Sequence, residues 1–573
     1  MRFSGLDWAI LVFTLLLVIS YGMYRSRTSK NLDGYFLSDR QLPWWLVLLS
    51  IMGTQASAIT FLTAPGQAYT DGMRFVQYYF GLPIAMVIIC ISFVPIFRKF
   101  KVYTAYEFLE QRFDLKTRSL TSFLFLLSRG LSTGISIYAP SLILHSMLGW
   151  DIYITNIFMG GLLIIYTVSG GAKAVAYTQQ LQFIIIYAAM FIAGWWAIKM
   201  LPEGISFTDA LHISGKAGKL NVITDGIKAD GSFDWKDKYN IWSGVIGGLF
   251  LALSYFGTDQ SQVGRYLTAK TDKESRVGLL MNGLVKVPLQ FSILIIGALL
   301  FTFYQFYQAP AFFNLAQEKT VQESSYAQEY AEANNSYNEL QASKRKVSVD
   351  LASAMNNDDE EKVNELRLNL LNHEDESRIA RDSIKNIVKK ANPGNDANDT
   401  NYIFLRFVGD FLPNGLVGLI IAVIFLASWG SIAAALNSLA SCTMVDFHIK
   451  FFSKKLTGMQ EYNWSKFYTL LWGLFSIVIA QFAYNLGNSL IEAVNILGSW
   501  FYGTILGIFL VAFYIKQIKG HAVFWAAVIS EIIVIFVYTL DIISFLWLCV
   551  IGAVAVIVLG FLFEAVLGKK RVR

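Results

Sequence analysis

The sequence contains few of the residues that metal and redox sites need. Its 573 residues include three cysteines and five histidines. Cys90, Cys442 and Cys549 lie in or beside apolar stretches without Cys-x-x-Cys spacing, which indicates packing and says nothing about the redox compartment. The histidines have no His-Glu-x-x-His or other ligand spacing. Neither a metal centre nor a nucleophile–base constellation is visible, so we expect no enzyme.

Charge is also scarce. Charged residues make up 15% of the chain and hydrophobic residues 55%, and the mean hydropathy is +0.47. A soluble protein could not cover so much apolar surface, which predicts an all-α polytopic protein embedded in a lipid bilayer. The net charge of +6 therefore gives no indication of a nucleic-acid partner. The positions of the basic residues carry the information.

Thirteen apolar stretches predict about 13 transmembrane helices. The first, at residues 4–23, is too long for a signal peptide and lacks its small-residue cleavage site, so we expect a permanent span. The others are predicted at residues 44–63, 73–97, 119–148, 151–169, 178–200, 240–263, 275–306, 411–445, 467–485, 489–514, 521–540 and 543–566.

Basic residues cluster in alternate connections, which predicts the orientation of the chain. The opposite connections near residues 64–72, 149–151, 486–488 and 541 carry no lysine or arginine. We therefore expect a multi-pass protein of the cell membrane, with its N-terminus outside and its C-terminus in the cytoplasm. The basic residues of the alternate connections lie at 25–40, 98–118, 173, 265–276, 450–455, 516–519 and 569–573.

Two predicted spans are interrupted by small and polar residues. The span 44–63 contains Met-Gly-Thr-Gln-Ala-Ser at 52–57, and the span 240–263 contains Gly-Thr-Asp-Gln-Ser-Gln at 257–262. Such a break is costly in hydrocarbon, and its use is to turn carbonyls and helix ends toward an ion or solute. The alternative for the first stretch is a small-residue packing face.

The carboxylate of Asp259 needs a counterpart at this depth. Lys286, on the next span, is the predicted partner within a solute site. The alternative is a purely structural pair of Asp259 with Lys286 or Arg265 near the cytoplasmic interface.

The two interrupted helices predict a 5+5 inverted repeat with one helix before it and two after it. The predicted units are a leading helix at 1–30, the first repeat at 31–200, an extracytoplasmic loop at 201–239 that contains turns, the first part of the second repeat at 240–306, an extracytoplasmic insertion at 307–401, the remainder of the second repeat at 402–514, and two C-terminal helices with a cytoplasmic tail at 515–573.

The insertion has the composition of a helical hairpin. From Gln317 to Asn392 it is rich in helix formers, with apolar residues at an amphipathic period that is interrupted near 356–359. We expect an extracytoplasmic hairpin closed by Pro393 and Gly394, which could bind an extracytoplasmic partner. The alternative is a disordered acidic loop.

A third element carries small residues and hydroxyls, in Ser-Trp-Gly-Ser-Ile-Ala-Ala-Ala-Leu-Asn-Ser at 428–438. A serine hydroxyl together with carbonyls from a broken helix would form an all-oxygen cage with little formal charge. Such a cage suits a monovalent hard cation such as Na+ better than a divalent ion, which would need carboxylates.

With these stretches the chain resembles the sodium/solute symporters, which have the LeuT-type inverted-repeat fold, over nearly its whole length except residues 307–401. The stretch IYAPSLIL at 137–144 and the stretch at 105–113 look most like the branch that carries iodide, monocarboxylates and vitamins, and the Asp-Gln pair at 259–260 also looks like the sugar carriers. The resemblance is carried by YFLSDRQLPWW at 35–45, AYEFLEQRF at 105–113, YTVSGGAKAVAYTQ at 166–179, GTDQSQVGRYL at 257–267 and SWGSIAAALNS at 428–438.

The resemblance implies a sodium site and also two departures from it. The hydroxyl residue usual just before Ser431 is Gly430 here, and the acidic residue of a second sodium route is Gln179. Both departures argue against a second sodium ion, and they leave even the first with one fewer side-chain oxygen. Proton coupling or weak sodium coupling therefore stays open. The sodium ligands implied by position are the carbonyls of Gly53, Ala56 and Ala427 and the hydroxyl of Ser431.

The same resemblance implies a solute pocket. Three of its positions, Thr60, Tyr79 and Ala252, have lost the polar groups of the sugar carriers, which disfavours a galactose-type hexose. Lys286 in an otherwise aromatic pocket suits an anion or a small neutral solute. The expected cargo is a sugar, a monocarboxylate, a vitamin or a similar anion. The implied solute-binding residues are Thr60, Tyr78, Tyr79, Tyr255, Asp259, Lys286 and Asn495.

The sequence therefore predicts a secondary active transporter that couples solute to sodium by alternating access. The alternatives are a proton-coupled or uncoupled carrier, and a membrane sensor or receptor that uses the hairpin as an interaction arm. A channel is disfavoured because no ring-forming selectivity sequence is visible.

Overall fold

The computed structural model describes residues 3–25, 30–357, 359–393, 397–452, 456–483 and 489–569. Within these ranges the chain is almost entirely helical, without a β-strand and with two isolated bridges, Leu42–Ala269 and Ile227–Phe233. This confirms the predicted all-α class. The physical reason is that helices satisfy their own backbone hydrogen bonds where no water is available.

The helices are α1 Gly5–Arg25, α2 Leu32–Leu37, α3 Trp44–Gln55, α4 Ala58–Asp71, α5 Leu82–Ile91, α6 Phe93–Lys99, α7 Glu107–Arg112, α8 Leu115–Leu148, α9 Ile152–Lys199, α10 Phe207–Lys216, α11 Gly248–Gly257, α12 Gln260–Tyr266, α13 Asp272–Phe306, α14 Leu315–Gln322, α15 Ala327–Asn356, α16 Glu360–Ala391, α17 Ile403–Phe411, α18 Leu416–Cys442, α19 Gly458–Ala480, α20 Leu490–Tyr514, α21 Gly520–Thr539 and α22 Phe545–Lys569. Short 3-10 turns lie at Ser38–Arg40, Met73–Tyr79 and Thr400–Tyr402, and wider π-helical turns at Ser243–Gly247 and Thr443–Phe452.

Nine helical segments of the described part are long and apolar enough to cross a membrane, and the bent pair α3–α4 makes a tenth candidate span. Two shorter apolar helices, Ile152–Val168 and Ser243–Gly257, and the helix α19 lie where further spans are expected. These elements correspond in position to the predicted spans. The number of 13 membrane crossings stays a prediction.

The predicted helix breaks are present. Helices α3 and α4 meet at an angle of 62° across Ala56 and Ser57, and α11 and α12 are separated at Thr258 and Asp259. A further break lies inside α9, where the spans at 151–169 and 178–200 were predicted. There Gly171 has φ 60° and ψ −173°, a backbone conformation that glycine adopts without a Cβ penalty.

The loop at 201–239 contains, beside its turns, a helix that was not predicted, α10 at Phe207–Lys216. Its start is a capping box, in which the Asp209 amide donates to the Ser206 hydroxyl and the Ser206 amide donates to the Asp209 carboxylate. The Ser-x-x-Asp spacing was a readable helix signal in the sequence.

The insertion folds as the predicted helical hairpin. Helices α15 and α16 pack along each other, and α15 ends at Asn356 and α16 begins at Glu360, on either side of the interruption predicted at 356–359. Of that stretch, residue 358 lies outside the described residues. Gly394 of the predicted closure lies outside the described residues. The hairpin has its own apolar clusters, one of which contains Tyr330, Tyr337, Ile384, Ile387 and Val388. These clusters explain why the segment is helical although its composition is polar.

The connections predicted to share one side of the membrane contact one another at one end of the bundle. Arg98 pairs with Asp272 at 2.8 Å, and Lys450 pairs with Glu110 at 2.9 Å. We call this end the basic face and the opposite end, which carries α10 and α14–α16, the hairpin face. The compartment that each face meets stays a prediction.

The predicted connection at 486–488 and the basic residues at 454–455 and 570–573 lie outside the described residues.

The packing of α13 on α4 gives a test of the fold. A Cβ atom at Gly297 of α13 would lie 2.2 Å from the Pro65 carbonyl oxygen of α4, whereas a Cβ at Gly161 of α9 would meet nothing within 4 Å. We expect Gly297→Ala to destabilise the protein by about 1–3 kcal/mol, because backbone must move to admit the methyl group. Thermal unfolding in detergent measures the effect.

Gly161→Ala is the matched control and should leave the melting temperature unchanged or slightly raised, since alanine favours helix. Equal melting temperatures for the two variants would contradict the described packing of α13 on α4.

Candidate functional site

One cavity inside the bundle brings together most of the predicted site residues. It is bounded by the first break, the turn at Met73–Tyr79, and helices α8, α11, α13, α18 and α20. Residues that are far apart in sequence therefore face one space. Those of the predicted solute and sodium sets that line it are Thr60, Tyr78, Tyr79, Ala252, Tyr255, Lys286, Ser431 and Asn495.

The break between α3 and α4 presents two unlike helix ends to this cavity. The Ser57 amide donates to the Gln55 carbonyl at 2.9 Å, so it is not the partner of the Gly53 carbonyl that it would be in an unbroken helix. The end of α3 thus offers carbonyl oxygens and a partial negative charge. The start of α4, where Ile59 and Thr60 line the cavity, offers amide groups and a partial positive charge.

The predicted sodium ligands lie on α18 and at this break, on helices that pack against each other. The Ser431 hydroxyl donates to the Ala427 carbonyl at 3.1 Å and lies 3.2 Å from the Ser428 carbonyl, which leaves its own lone pairs to accept a cation. Ser431 lines the cavity, whereas Gly53, Ala56 and Ala427 lie outside its lining. The donor set is entirely oxygen, as Na+ prefers.

Two glutamines of α9, Gln179 and Gln182, lie at the two departures of the ion site. The Nε2 of Gln179 donates to the Gly430 carbonyl at 3.0 Å and to Thr54 Oγ1 at 3.2 Å, and its Oε1 accepts from Ser50 Oγ at 2.8 Å. A neutral amide therefore links α3 to α18. A Cβ at Gly430 would lie only 2.6 Å from Gln182 Oε1, so a hydroxyl residue has no room there unless Gln182 moves.

Lys286 is a cation in an aromatic environment. Its Nζ lies 5.3 Å from the centre of the Tyr79 ring, and the residue is 3% exposed. Among the described residues no carboxylate forms an ion pair with it. Nearby, the Tyr78 hydroxyl donates to Asn495 Oδ1 at 3.2 Å. A cation–π contact stabilises the ammonium only in part, so the Lys286 charge remains available to a ligand.

Both predicted partners of Asp259, Lys286 and Arg265, are wrong. Asp259 pairs with Arg129 of α8. Arg129 also donates to the Tyr502 hydroxyl at 2.9 Å, and that hydroxyl donates to Asp259 Oδ2 at 3.0 Å. Asp259 itself is behind the cavity lining, which contains Arg129 and Tyr502. The carboxylate thus neutralises an arginine of the cavity wall.

Sequence reasoning missed Arg129 and Tyr502. The signal for Arg129 was present, since a basic residue inside a predicted span is by default a functional candidate. The two cationic side chains of the lining, Arg129 and Lys286, are opposed by the one carboxylate of Asp259. The described cavity therefore carries one positive charge in excess.

The known proteins that resemble this chain are named as sodium-coupled transporters. A model of the sodium:solute symporter family matches residues 35–340 and 383–530. The sodium/sialic acid symporter SiaT of Proteus mirabilis is 25% identical over 562 residues, which cover 97% of this chain and 94% of the relative. The human sodium/iodide cotransporter is 29% identical over 306 residues. That alignment spans 52% of this chain and 46% of the relative.

A solved structure of a Na+-coupled sialic acid symporter, in its substrate-bound outward-open state, shares the fold. Its TM-score is 0.74 at 22% sequence identity, and the alignment covers 99% of this chain and 98% of that chain.

The buried pair Arg129–Asp259 predicts a stability effect. Asp259→Asn leaves the Arg129 guanidinium buried without a counter-charge, which costs about 3–5 kcal/mol. We expect a clear fall in the melting temperature, and a smaller fall for the double variant Arg129→Met, Asp259→Asn, in which no charge is left unpaired. Thermal unfolding of the purified variants measures both.

Asp375→Asn is the matched control, because Asp375 and its partner Arg378 are 68% and 70% exposed and such a pair contributes about 0–1 kcal/mol. If Asp259→Asn unfolded no earlier than Asp375→Asn, the buried pair would not have the assigned role.

Proposed function

The chain belongs to the sodium:solute symporter family, and we propose that it carries a small organic anion into the cell together with sodium. Secondary active transport coupled to Na+ is the function of this family and of the relatives that match here. The predictions of family, function and coupling ion are thereby confirmed. The nature of the cargo, the residues that bind it and the direction of transport are the proposed part.

The single observation that carries the anionic cargo is the unpaired Lys286 in the cavity. Because Asp259 neutralises Arg129, no carboxylate in the described part of the chain compensates the positive charge of Lys286. The start of α4 adds a partial positive charge on the same cavity. A carboxylate bound between them would compensate both. Two relatives support an anion, because iodide and sialic acid both carry negative charge.

We assign sodium to the end of α3 and to α18. The residues proposed to hold it are the carbonyls of Gly53, Ala56 and Ala427 and the hydroxyl of Ser431. Bound there, the ion would join the broken helix to α18. We propose one sodium ion per cycle at this site, since Gln179 contributes a neutral amide where a second sodium route would need a carboxylate. Gly430 leaves the proposed site with one side-chain oxygen fewer.

Transport follows from the different affinities of two arrangements of the helices. Sodium stabilises the arrangement in which α3 and α18 are joined, and this arrangement presents the start of α4 to the solute. A ligand shifts such an equilibrium only by its differential affinity for the two states.

The positive-inside pattern assigns the basic face to the cytoplasm and the hairpin face to the outside of the cell membrane. Loss of sodium to the cytoplasm then frees α3 from α18 and releases the solute. The inverted repeat and its unit boundaries belong to this proposal.

Uptake into proteoliposomes tests the cargo. An inward sodium gradient should drive uptake of a labelled organic anion from a panel of monocarboxylates, sialic acid and biotin, and a choline gradient should not. Iodide and neutral galactose are the comparison solutes. We expect Lys286→Gln to raise the KM for the anion about tenfold or more, equivalent to at least about 1.4 kcal/mol of lost binding.

Lys286→Arg keeps the charge and should raise KM by less than Lys286→Gln. Sodium-driven uptake of neutral galactose with no uptake of anions, or an unchanged KM in Lys286→Gln, would exclude the anionic cargo.

The sodium site has its own matched pair of variants. Ser431→Ala removes an oxygen ligand, and hydrogen bonds or contacts to a charged group contribute about 1.5–3 kcal/mol. We therefore expect the sodium concentration for half-maximal uptake to rise about tenfold or more. Ser428→Ala removes the hydroxyl of the preceding turn of α18. That hydroxyl donates to the Ile424 carbonyl at 3.0 Å.

Ser428→Ala should leave the sodium dependence within about twofold of wild type, since one intrahelical hydrogen bond contributes about 1 kcal/mol and no ion contact is lost. Equal sodium dependence in the two serine variants would place the ion elsewhere.

A further inference from the structure

The end of α4 on the hairpin face is held by one residue of the loop that follows α10. The Met73 amide donates to the Lys219 carbonyl at 2.9 Å, and Lys219 Nζ donates to the Thr70 carbonyl at 2.7 Å. The last carbonyls of a helix have no partner within the helix and carry its partial negative charge. The ammonium of Lys219 therefore caps α4, although it comes from a segment about 150 residues away in sequence.

The charge of Lys219 is linked to the hairpin. Its Nζ lies 4.9 Å from the centre of the Phe301 ring of α13, and Nζ of Lys344 in α15 lies 5.9 Å from the same ring. Lys344 pairs with Glu374 of α16 at 2.8 Å. Burial alone would raise the pKa of Glu374, but Lys344 and Lys219 outweigh it and hold this pKa below its ordinary value. Glu374 thus interacts with both lysines.

The part of the hairpin that makes these contacts is the part that the family match omits. That match leaves out residues 341–382, which include Lys344 and Glu374. The same part touches α10 directly. Arg367 Nε donates to the Lys216 carbonyl at 3.4 Å, and Ala352 packs with Ile213 and Phe306 in one apolar cluster. The omitted segment is therefore attached to the loop that caps α4.

We propose that Lys219, Lys344 and Glu374 form a brace through which the hairpin positions α4, so that Lys219 is a positioning residue for solute binding. Helix α4 is 14 residues long and carries Thr60 of the cavity near its other end. Helix α4 is about 20 Å long and stays helical through its internal Pro65, so a displacement of one end is transmitted to the other. Fixing its end on the hairpin face therefore fixes the half-helix that meets the solute. This inference rests on the proposed function.

Separate measurements of solute affinity and sodium affinity distinguish the proposed brace from a merely structural role of these residues. In proteoliposomes, Lys219→Met and the double variant Lys344→Met, Glu374→Gln should raise the KM for the transported anion about fivefold. The sodium concentration for half-maximal uptake should stay within about twofold, because α4 beyond the break carries none of the proposed sodium ligands. The double variant avoids leaving the buried Lys344 without its carboxylate, and Lys219→Arg should restore the wild-type KM.

Asp375→Asn is the matched control, since it removes the same charge from the next residue of α16, where the side chain is 68% exposed. Its KM should equal that of the wild type. A KM of the brace variants equal to that of Asp375→Asn, or parallel losses in solute and sodium affinity with no rescue by Lys219→Arg, would overturn the proposal.

A second measurement does not depend on transport. In the variant Thr60→Cys the new thiol can be alkylated in the purified protein with N-ethylmaleimide, against the background of three buried native cysteines. Loss of the brace should change the alkylation rate at position 60 at least threefold, and Asp375→Asn should not change it. If no anion is taken up but the rate changes, the proposed function fails and the brace stands. An unchanged rate in the brace variants overturns the brace.

Discussion

A helix that breaks at the centre of an apolar bundle leaves backbone groups without partners, and the rest of this structure depends on how they are satisfied. At Ala56 and Ser57 the chain turns by 62°, which exposes the carbonyls that end α3 and the amides that begin α4. Two opposite partial charges thus lie side by side. A cation and an anion can each be bound by one of them, which is the physical basis for coupling an ion to a solute in one site.

Most side chains around the break are either neutral or compensated by an opposite charge. Gln179 joins α3 to α18 with a neutral amide, so the helices are connected there without a buried charge. Asp259 and Arg129 neutralise each other, as a carboxylate and a guanidinium must when both are removed from water. Lys286 is the exception among the described charges of the cavity. An uncompensated ammonium at this depth is expensive for folding, and an anionic cargo would be its counter-charge.

The hairpin acts at the other end of the same half-helix. Its polar helices are stabilised by their own apolar clusters and by attachment to α10. Through Lys219 this attachment reaches the last carbonyls of α4. Helix α4 is therefore constrained at both ends, at one by the break and the cavity, and at the other by a cap that belongs to a segment outside the family match. The proposed brace gives that segment a role in the membrane part of the protein.

The sequence by itself determined the features that depend on neighbouring residues. Apolar runs of sufficient length specified membrane helices, and Gly, Thr, Gln and Ser in the middle of a run specified the break at Ala56–Ser57. Helix-forming composition with an amphipathic period specified the hairpin. The motif stretches specified the family and thereby the coupling to sodium. Helix α10 depends on equally local residues, since its capping box of Ser206 and Asp209 is a spacing within the sequence.

Only the tertiary structure decided which distant side chains meet. Asp259 and Arg129 are 130 residues apart, and nothing in the sequence ranks Arg129 above Lys286 or Arg265 as the partner. The link of Gln179 to Thr54 and the cap of Lys219 on α4 are of the same kind. A helix fixes which face a residue lies on, but the neighbour of that face is set by how whole helices pack. A short-range periodicity does not encode that arrangement.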